Sequence, residues 1–235
     1  MTRIAIQFFG HLRTFKRCFP ALKRHLLNCY DCDIFMHTWD VYNHNTQTWH
    51  KHTRGVNKTV NKDKIIKYLG IKDEQIIVEH QEFVDGGKFK ARGGEFSLQG
   101  LKSVYRSIAS VNALRENYQK KYGVKYDCVV CIRPDIKLLK KLDLNKYISL
   151  PDYNNSIYFG GSTSCDVKQL DDIGACDLLF FGDEKSMSKL CGNLKPLVKD
   201  GDTINHFIEG LLIDNITLNK LQGVFAGQSK APPAP

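Results

Sequence analysis

The chain has 235 residues, of which 42% are hydrophobic and 25% are charged, which is the composition of a globular protein that can bury a core without disulfide staples. No segment is long and apolar enough to span a membrane, and the N-terminus lacks the pattern of a secretory signal, so we expect a cytoplasmic protein. The net charge of +9 favours anionic partners, such as a nucleotide, a diphosphate-linked acceptor, an anionic membrane surface or nucleic acid.

The first part of the chain predicts a parallel strand–helix–strand unit. An apolar run over 3–9 predicts a strand, and apolar residues at helical spacing predict a helix over 14–27, whose true start Pro20 could mark. A second strand is predicted over 32–38, and this order of elements is typical of a parallel βαβ unit. The polar stretch over 42–63 predicts a long loop.

Further helices and strands are predicted along the rest of the chain from the spacing of its apolar residues. Helices are predicted over 61–69, 98–122, 184–194 and 203–213, and strands over 75–81, 126–132, 156–161 and 177–182. The basic, glycine-rich segment over 85–96 fits either a loop that closes over a ligand or a solvated hairpin. No repeat or domain boundary is found, so 1–226 is predicted to be one α/β domain, followed by a proline-rich tail or linker over 227–235.

Two C-x-x-C pairs, Cys29/Cys32 and Cys128/Cys131, have the spacing of zinc ligands. Cys128 and Cys131 stand three residues apart in a predicted strand, so their side chains point to opposite faces and cannot share a metal ion or a disulfide. We therefore expect free and mostly buried thiols, as in a reducing compartment.

Polar residues suited to anion binding follow two of the predicted strands. Gly10, His11 and Arg13 follow the first strand, and Arg133 and Asp135 follow the strand over 126–132. Ligands of open α/β sheets bind at the carboxyl ends of strands, where arginine can pair with phosphate and a carboxylate can hold a divalent cation. A strand-end turn with a surface salt bridge would give the same pattern, and the spacing alone does not separate the two interpretations.

Four blocks of the sequence resemble a family of bacterial and viral polysaccharide glycosyltransferases. The blocks are IAIQFFGHLRTF, DCDIFMHTWD, YDCVVCIRPDIKL and DLLFFGDEKSM, and with the segments between them they extend the similarity over 3–216. That family begins with an SGxxRTF turn, carries DIFIHTW, and has R-x-D where other nucleotide-sugar enzymes have D-x-D. The resemblance implies a Rossmann-like GT-A fold, an α/β sandwich with a mostly parallel central sheet flanked by helices. The chain departs from the family at Phe9, which stands where a small serine is usual.

The resemblance also implies an activity and its cofactor. The expected enzyme is a metal-dependent glycosyltransferase that moves a sugar from a nucleotide-diphosphate sugar, with a UDP-sugar as the first choice, to a glycan or polysaccharide acceptor. Mn²⁺ or Mg²⁺ is the implied cofactor and Asp135 its ligand, and a metal with an arginine beside it would stabilise the leaving diphosphate. The residues implied to bind the donor are Gly10, His11, Arg13, His37, Thr38 and Arg133.

Transfer with inversion needs a carboxylate as a general base near the acceptor hydroxyl. Asp177 matches the family's aspartate before a late strand and is the first candidate, and Asp172, with Asp171 beside it, is the second. For the latter pair, solvated loop charges are the alternative interpretation.

Two other functions stay open. A basic nucleic-acid-binding domain would explain the net charge of +9 and the 11% of aromatic residues, but the basic residues are spread along the chain and no recognition motif is present, so we expect no nucleic-acid partner. A sugar nucleotidyltransferase usually has a more glycine-rich first loop than FFGHLRTF. Peripheral association with a membrane also stays open.

Overall fold

The computed structural model describes residues 2–43, 58–81, 88–91, 94–160, 178–200 and 217–221. The helices are α1 (Phe15–His25), α2 (Lys62–Leu69), α3 (Leu98–Tyr122), α4 (Leu144–Ile148) and α5 (Glu184–Asp200). The strands are β1 (Arg3–Phe9), β2 (Asp31–Trp39), β3 (Ile76–Glu79), β4 (Lys88–Ala91), β5 (Gly94–Ser97), β6 (Cys128–Ile132), β7 (Ser156–Gly160), β8 (Leu179–Gly182) and β9 (Thr217–Leu221).

Seven of these strands form one central sheet in the order β3-β2-β1-β6-β8-β7-β9. The pairs β3–β2, β2–β1, β1–β6 and β7–β9 are parallel, whereas β8 runs antiparallel to both of its neighbours. Gly182 ends β8 where a Cβ atom would meet the carbonyl oxygen of Ser156 at 2.6 Å, so only glycine fits this close strand pairing. β4 and β5, which overlap the basic segment, pair antiparallel with each other and separately from this sheet. The two interpretations of that segment, a loop that closes over a ligand and a solvated hairpin, both stay predictions.

A hydrophobic core covers each face of the sheet. One face packs against α1, α2 and the segment 136–142, and the other packs against α3 and α5. Burial on both sides explains why β1 reads as a nearly continuous apolar run rather than an alternating one. The predicted α/β sandwich, with a mostly parallel central sheet flanked by helices, is confirmed.

Most predicted elements occur within a few residues of their expected bounds. The interpretation of Pro20 as the start of the first helix is wrong: α1 begins at Phe15 and contains Pro20, because its buried stripe of Phe15, Cys18, Phe19 and Leu22 stabilises the helix despite one missing N–H donor. α2 has the bounds that its end residues predict, since Asn61 accepts a hydrogen bond from the Lys64 N–H and Gly70 ends the helix at φ 68°.

The short helix α4 and the strand β9 were not predicted. The helix predicted over 203–213 and the tail over 227–235 lie outside the described residues.

The cysteine prediction is confirmed for the part of the chain that the structure describes. Its six cysteines, at 18, 29, 32, 128, 131 and 191, carry free thiols. Cys128 and Cys131 are both buried, and they belong to the cores on opposite faces of the sheet, as their spacing on a strand requires. Within the described ranges, no helix is long and apolar enough to cross a membrane.

Candidate active site

The neighbouring parallel strands β3, β2, β1 and β6 end at the same edge of the sheet. His80 and Gln81 follow β3, Asp40 follows β2, the turn 10–14 follows β1, and the turn 133–135 follows β6. This edge therefore collects residues that are far apart in the sequence, at the place where open α/β sheets bind their ligands.

Two arginines converge on one buried carboxylate at this edge, and we call Arg13, Arg133 and Asp135 the arginine cluster. Arg133 donates from Nε to Oδ1 of Asp135 at 3.0 Å and from Nη2 to Oδ2 at 2.7 Å. Arg13 donates from Nη1 to the same Oδ2 at 3.2 Å. Asp135 is 4% exposed, while the side chains of Arg13 and Arg133 are 24% and 14% exposed. The turns after β1 and β6 are thus joined, and the cluster has a formal charge of +1.

The ionised form of Asp135 is stabilised by its partners. Burial acts to raise the pKa of Asp135, but the charges and hydrogen bonds of Arg133 and then Arg13 hold that pKa below its usual value. The carboxylate is therefore charged at neutral pH and fixes the planes of both guanidinium groups.

The backbone of the turn after β1 directs Arg13 toward Asp135. Gly10 has φ 92° and Arg13 has φ 35°, both in the left-handed region, which costs energy for a residue with a side chain. The N–H of Arg13 donates to the carbonyl of Tyr42 at 3.0 Å, and its Nε donates to Oδ1 of Asn43 at 3.3 Å. These contacts, together with the Asp135 ion pair, offset the strain.

A second group of residues, the histidine cluster, contains His11, His37, Glu79, Gln81 and Ser107. Nε2 of His37 lies 2.9 Å from Oε2 of Glu79, and Nδ1 lies 2.8 Å from the hydroxyl of Ser107 on α3. The hydrogen bond from His37, more than the burial that opposes it, holds the pKa of Glu79 below its usual value. Because the ionised Glu79 only accepts, Nε2 of His37 must donate. Arg106 on α3 also forms an ion pair with Glu79.

Ser107, His37 and Glu79 stand in the order of a serine–histidine–acid triad. Ser107 is fully buried, however, and its hydroxyl oxygen already accepts a hydrogen bond from the Gly10 N–H at 2.8 Å. A nucleophile must reach its substrate, so Ser107 is not placed to act as one. The hydrogen bonds among Ser107, His37 and Glu79 instead form a structural support that links β3, β2, the Gly10 turn and α3.

His11, on the same turn as Arg13, contacts residues at the ends of β2 and β3. Its Nε2 is 2.8 Å from Oε1 of Gln81, whose amide nitrogen donates to Ser103 on α3 at 3.3 Å. The ring of Trp39 lies 6.3 Å from that of His11 and 5.1 Å from that of His37. Trp39 is 3% exposed and therefore packs as part of the wall.

The structure places all six predicted donor-binding residues at or near this edge but gives them different surroundings. Gly10, His11, Arg13 and Arg133 lie on the two turns, and their binding of a donor stays a prediction. His37 and Thr38 are fully buried, so they would act through their neighbours. The hydroxyl of Thr38 meets no hydrogen-bond partner among the described residues. Sequence reasoning missed Glu79, Gln81 and Ser107. The first two could have been found by applying the strand-end rule to the strand predicted over 75–81, whereas nothing marks Ser107 among the serines of α3.

The described residues do not by themselves fit the predicted divalent cation. Both oxygens of Asp135 accept hydrogen bonds from guanidinium groups, and a cation here would face two like charges. The described ranges contain no group of three His, Cys, Asp or Glu side chains that could hold a metal ion. Metal binding at Asp135 stays a prediction. The base candidates Asp177 and Asp172, and Asp171, lie outside the described residues.

A separate cavity of about 340 Å³ lies away from this edge, between the C-terminal part of α3 and the start of α5. Its charged lining consists of Arg115, Lys125, Glu116 and Glu184, so it has no net charge. It adjoins the residues that precede β6, at the opposite end of that strand from the arginine cluster. We therefore do not assign the donor to it.

Comparison with known proteins gives similarity at the level of solved structures. No protein-family model matches the chain, and no curated protein matches it. The chain is similar to the glycosyltransferase GlyE of Streptococcus pneumoniae TIGR4, with a TM-score of 0.42, 14% identity, and coverage of 94% of this chain and 45% of GlyE. It is also similar to a putative glucose-1-phosphate thymidylyltransferase from Bacillus anthracis, with a TM-score of 0.48, 14% identity, and coverage of 94% of this chain and 88% of that one. The chain thus spans less than half of GlyE, and TM-scores below 0.5 assign neither a family nor an activity to it.

Proposed function

We propose that the chain is a glycosyltransferase that binds a nucleotide-diphosphate sugar at the carboxyl edge of β3, β2, β1 and β6 and transfers the sugar to a glycan acceptor. The observation that carries the proposal is the convergence of Arg13 and Arg133 on Asp135, from the ends of two adjacent parallel strands. It brings together two of the four sequence blocks that resemble polysaccharide glycosyltransferases.

The chemistry of this edge suits a diphosphate. The arginine cluster carries a formal charge of +1, and guanidinium groups recognise phosphate oxygens through paired N–H donors. As the bond to the sugar breaks, negative charge develops on the leaving diphosphate, and fixed positive groups stabilise that charge without reorganising. Asp135 would keep the two guanidinium groups fixed.

The finer parts of the proposal come from the sequence. A UDP-sugar is the first choice of donor, and Asp177, with Asp172 as the second candidate, would take the proton of the acceptor hydroxyl. Dependence on Mn²⁺ or Mg²⁺ stays a prediction.

The first test is a thermal-shift panel of UDP-, GDP-, dTDP- and CMP-sugars, each with Mn²⁺, with Mg²⁺ and with a chelator. A ligand that binds only the folded state raises the melting temperature. We expect a shift with one nucleotide, and the chelator arm shows whether that shift needs a metal. Arg13→Lys and Arg133→Lys keep the charge but lose the planar fork, so we expect each to weaken donor binding by about 10-fold or more. Arg17→Lys, on the exposed side of α1, is the matched control and should bind like the wild type.

Two outcomes would replace the proposal. Release of pyrophosphate from a nucleoside triphosphate and a sugar 1-phosphate would identify a sugar nucleotidyltransferase. If no nucleotide sugar raised the melting temperature and the protein bound heparin in a strongly salt-dependent way, a nucleic-acid-binding domain would be favoured.

A further inference from the structure

The exposed side of α1 carries a stripe of basic residues. Lys16, Arg17, Lys23 and Arg24 are all exposed and recur at helical spacing, opposite the buried stripe that packs on the sheet. Pro20 lies between them and is also exposed. The helix contains no acidic residue, so nothing within it neutralises the stripe.

The segment 136–142 continues this basic surface. Ile136, Leu138 and Leu142 are buried, and the side chains between them point to solvent: these are Lys137, Leu139, Lys140 and Lys141. Leu139 is 54% exposed, which is the highest value among the exposed large hydrophobic residues of the described ranges. The segment contains no acidic residue either.

Contacts show that α1 and this segment are neighbours on one face of the sheet. The N–H of Leu142 donates to the carbonyl of His25 at the end of α1, at 3.1 Å. Near the other end of the helix, the thiol of Cys18 donates to the carbonyl of Asp135 at 3.3 Å. The buried leucines of the segment share a hydrophobic core with Phe15 and Leu22 of α1. The two elements therefore lie side by side along their length.

We propose that this face, formed by the exposed residues of α1 and of 136–142, binds the surface of an anionic phospholipid bilayer. The seven exposed basic side chains of these two adjacent elements match a polybasic patch that is attracted to anionic headgroups. An exposed leucine among the lysines can enter the boundary between headgroups and acyl chains. A single-stranded nucleic-acid site would be expected to present several exposed aromatic side chains for stacking. Neither α1 nor 136–142 has one, and the exposed aromatic ring beside them, that of Tyr68, packs against Phe15 and Phe19 of α1.

The proposed membrane-binding face adjoins the candidate active site. α1 begins two residues after Arg13, and the segment begins immediately after Asp135. A bilayer bound by this face would thus lie beside the edge that carries the arginine cluster. The membrane interaction itself does not depend on the proposed transfer activity.

The test is flotation of the full chain with vesicles of phosphatidylcholine alone and of phosphatidylcholine with 30% phosphatidylserine, at low and at physiological salt. We expect binding to the anionic vesicles only, weakening as salt rises. The variant with Lys16, Arg17, Lys23 and Arg24 replaced by Gln should lose at least about 10-fold in affinity. The matched control replaces Lys120, Lys121, Lys125 and Lys185 by Gln; these residues are exposed on the α3 and α5 side of the sheet, and the net charge changes by the same amount. The control should bind like the wild type.

Leu139→Gln tests the apolar contribution and should weaken binding to anionic vesicles by about 10-fold, because one exposed leucine no longer enters the boundary region. Melting curves of all three variants should resemble that of the wild type, since the replaced side chains are exposed. Equal binding to both kinds of vesicle, or equal loss in the two fourfold variants, would overturn the proposal. Tighter binding to single-stranded RNA than to anionic vesicles, lost in the α1 variant, would assign the face to nucleic acid and also overturn it.

Discussion

The backbone N–H of Gly10 donates a hydrogen bond of 2.8 Å to the hydroxyl of Ser107, which ties the turn after β1 to the middle of α3. The same hydroxyl contacts Nδ1 of His37 at 2.8 Å. Through this one side chain, the turn that carries Arg13 is fixed relative to β2, so Ser107 is a positioning residue for the candidate site.

Ser107→Ala should therefore lower the free energy of unfolding by about 1–3 kcal/mol, because it leaves a nitrogen of the fully buried His37 and the half-buried Gly10 N–H without this partner. Urea denaturation measures this change. Ser110→Ala is the matched control on the same helix; Ser110 is only half-buried, and we expect a change within about 0.5 kcal/mol. If the two variants were equally stable, the support role of Ser107 would be excluded. Ser107→Thr keeps the hydroxyl, so this variant should retain much of any donor affinity that Ser107→Ala loses.

Asp135→Ala should destabilise the fold by about 3 kcal/mol, because it leaves Arg13 and Arg133 facing each other without their shared carboxylate. Thermal and urea unfolding would show the loss. Asp152→Ala, at an exposed position, is the control and should be nearly neutral. A fully stable Asp135→Ala protein would contradict the view that this carboxylate joins the turns after β1 and β6.

The same carboxylate should make stability depend on pH. Since the folded-state pKa of Asp135 lies below its unfolded value, its contribution is fully present above the unfolded pKa of about 4 and is lost as pH falls through the folded value. Unfolding free energies of wild type and Asp135→Asn, measured from pH 7 to pH 2.5, should therefore converge on the acid side. A constant difference across this range would mean that Asp135 does not titrate as its partners require.

The buried thiols should be unreactive in the folded protein. Burial raises the pKa of Cys128 to about 12 and raises that of Cys131 well above its usual value, so neither forms much thiolate at pH 8. Iodoacetamide followed by peptide mapping should modify the half-buried Cys29 much faster than these two. In guanidinium chloride, all three should react at similar rates. Rapid modification of Cys131 in the folded state would show that β6 opens locally.

The sequence predicted the local elements where one physical signal dominates. Helical spacing of apolar residues located α3, continuous apolar runs located β1 and β6, and Asn61 and Gly70 marked the ends of α2. The strand-end rule also marked Arg13, Arg133 and Asp135 as candidate ligand-binding residues, and the family resemblance placed them in one expected site. Such signals are readable because they depend on neighbours in the chain.

Only the tertiary structure decided which of these residues contact one another. Arg13 and Asp135 are 122 positions apart, so no local pattern reveals that both arginines use the same carboxylate. Ser107 resembles the other serines of α3 and becomes a support only because the Gly10 turn and His37 face that point of the helix. The basic stripe of α1 can be read from the sequence, but its union with 136–142 follows from the packing of both elements on one face of the sheet. Long-range contacts depend on how the sheet orders its strands, and that order is a property of the whole fold.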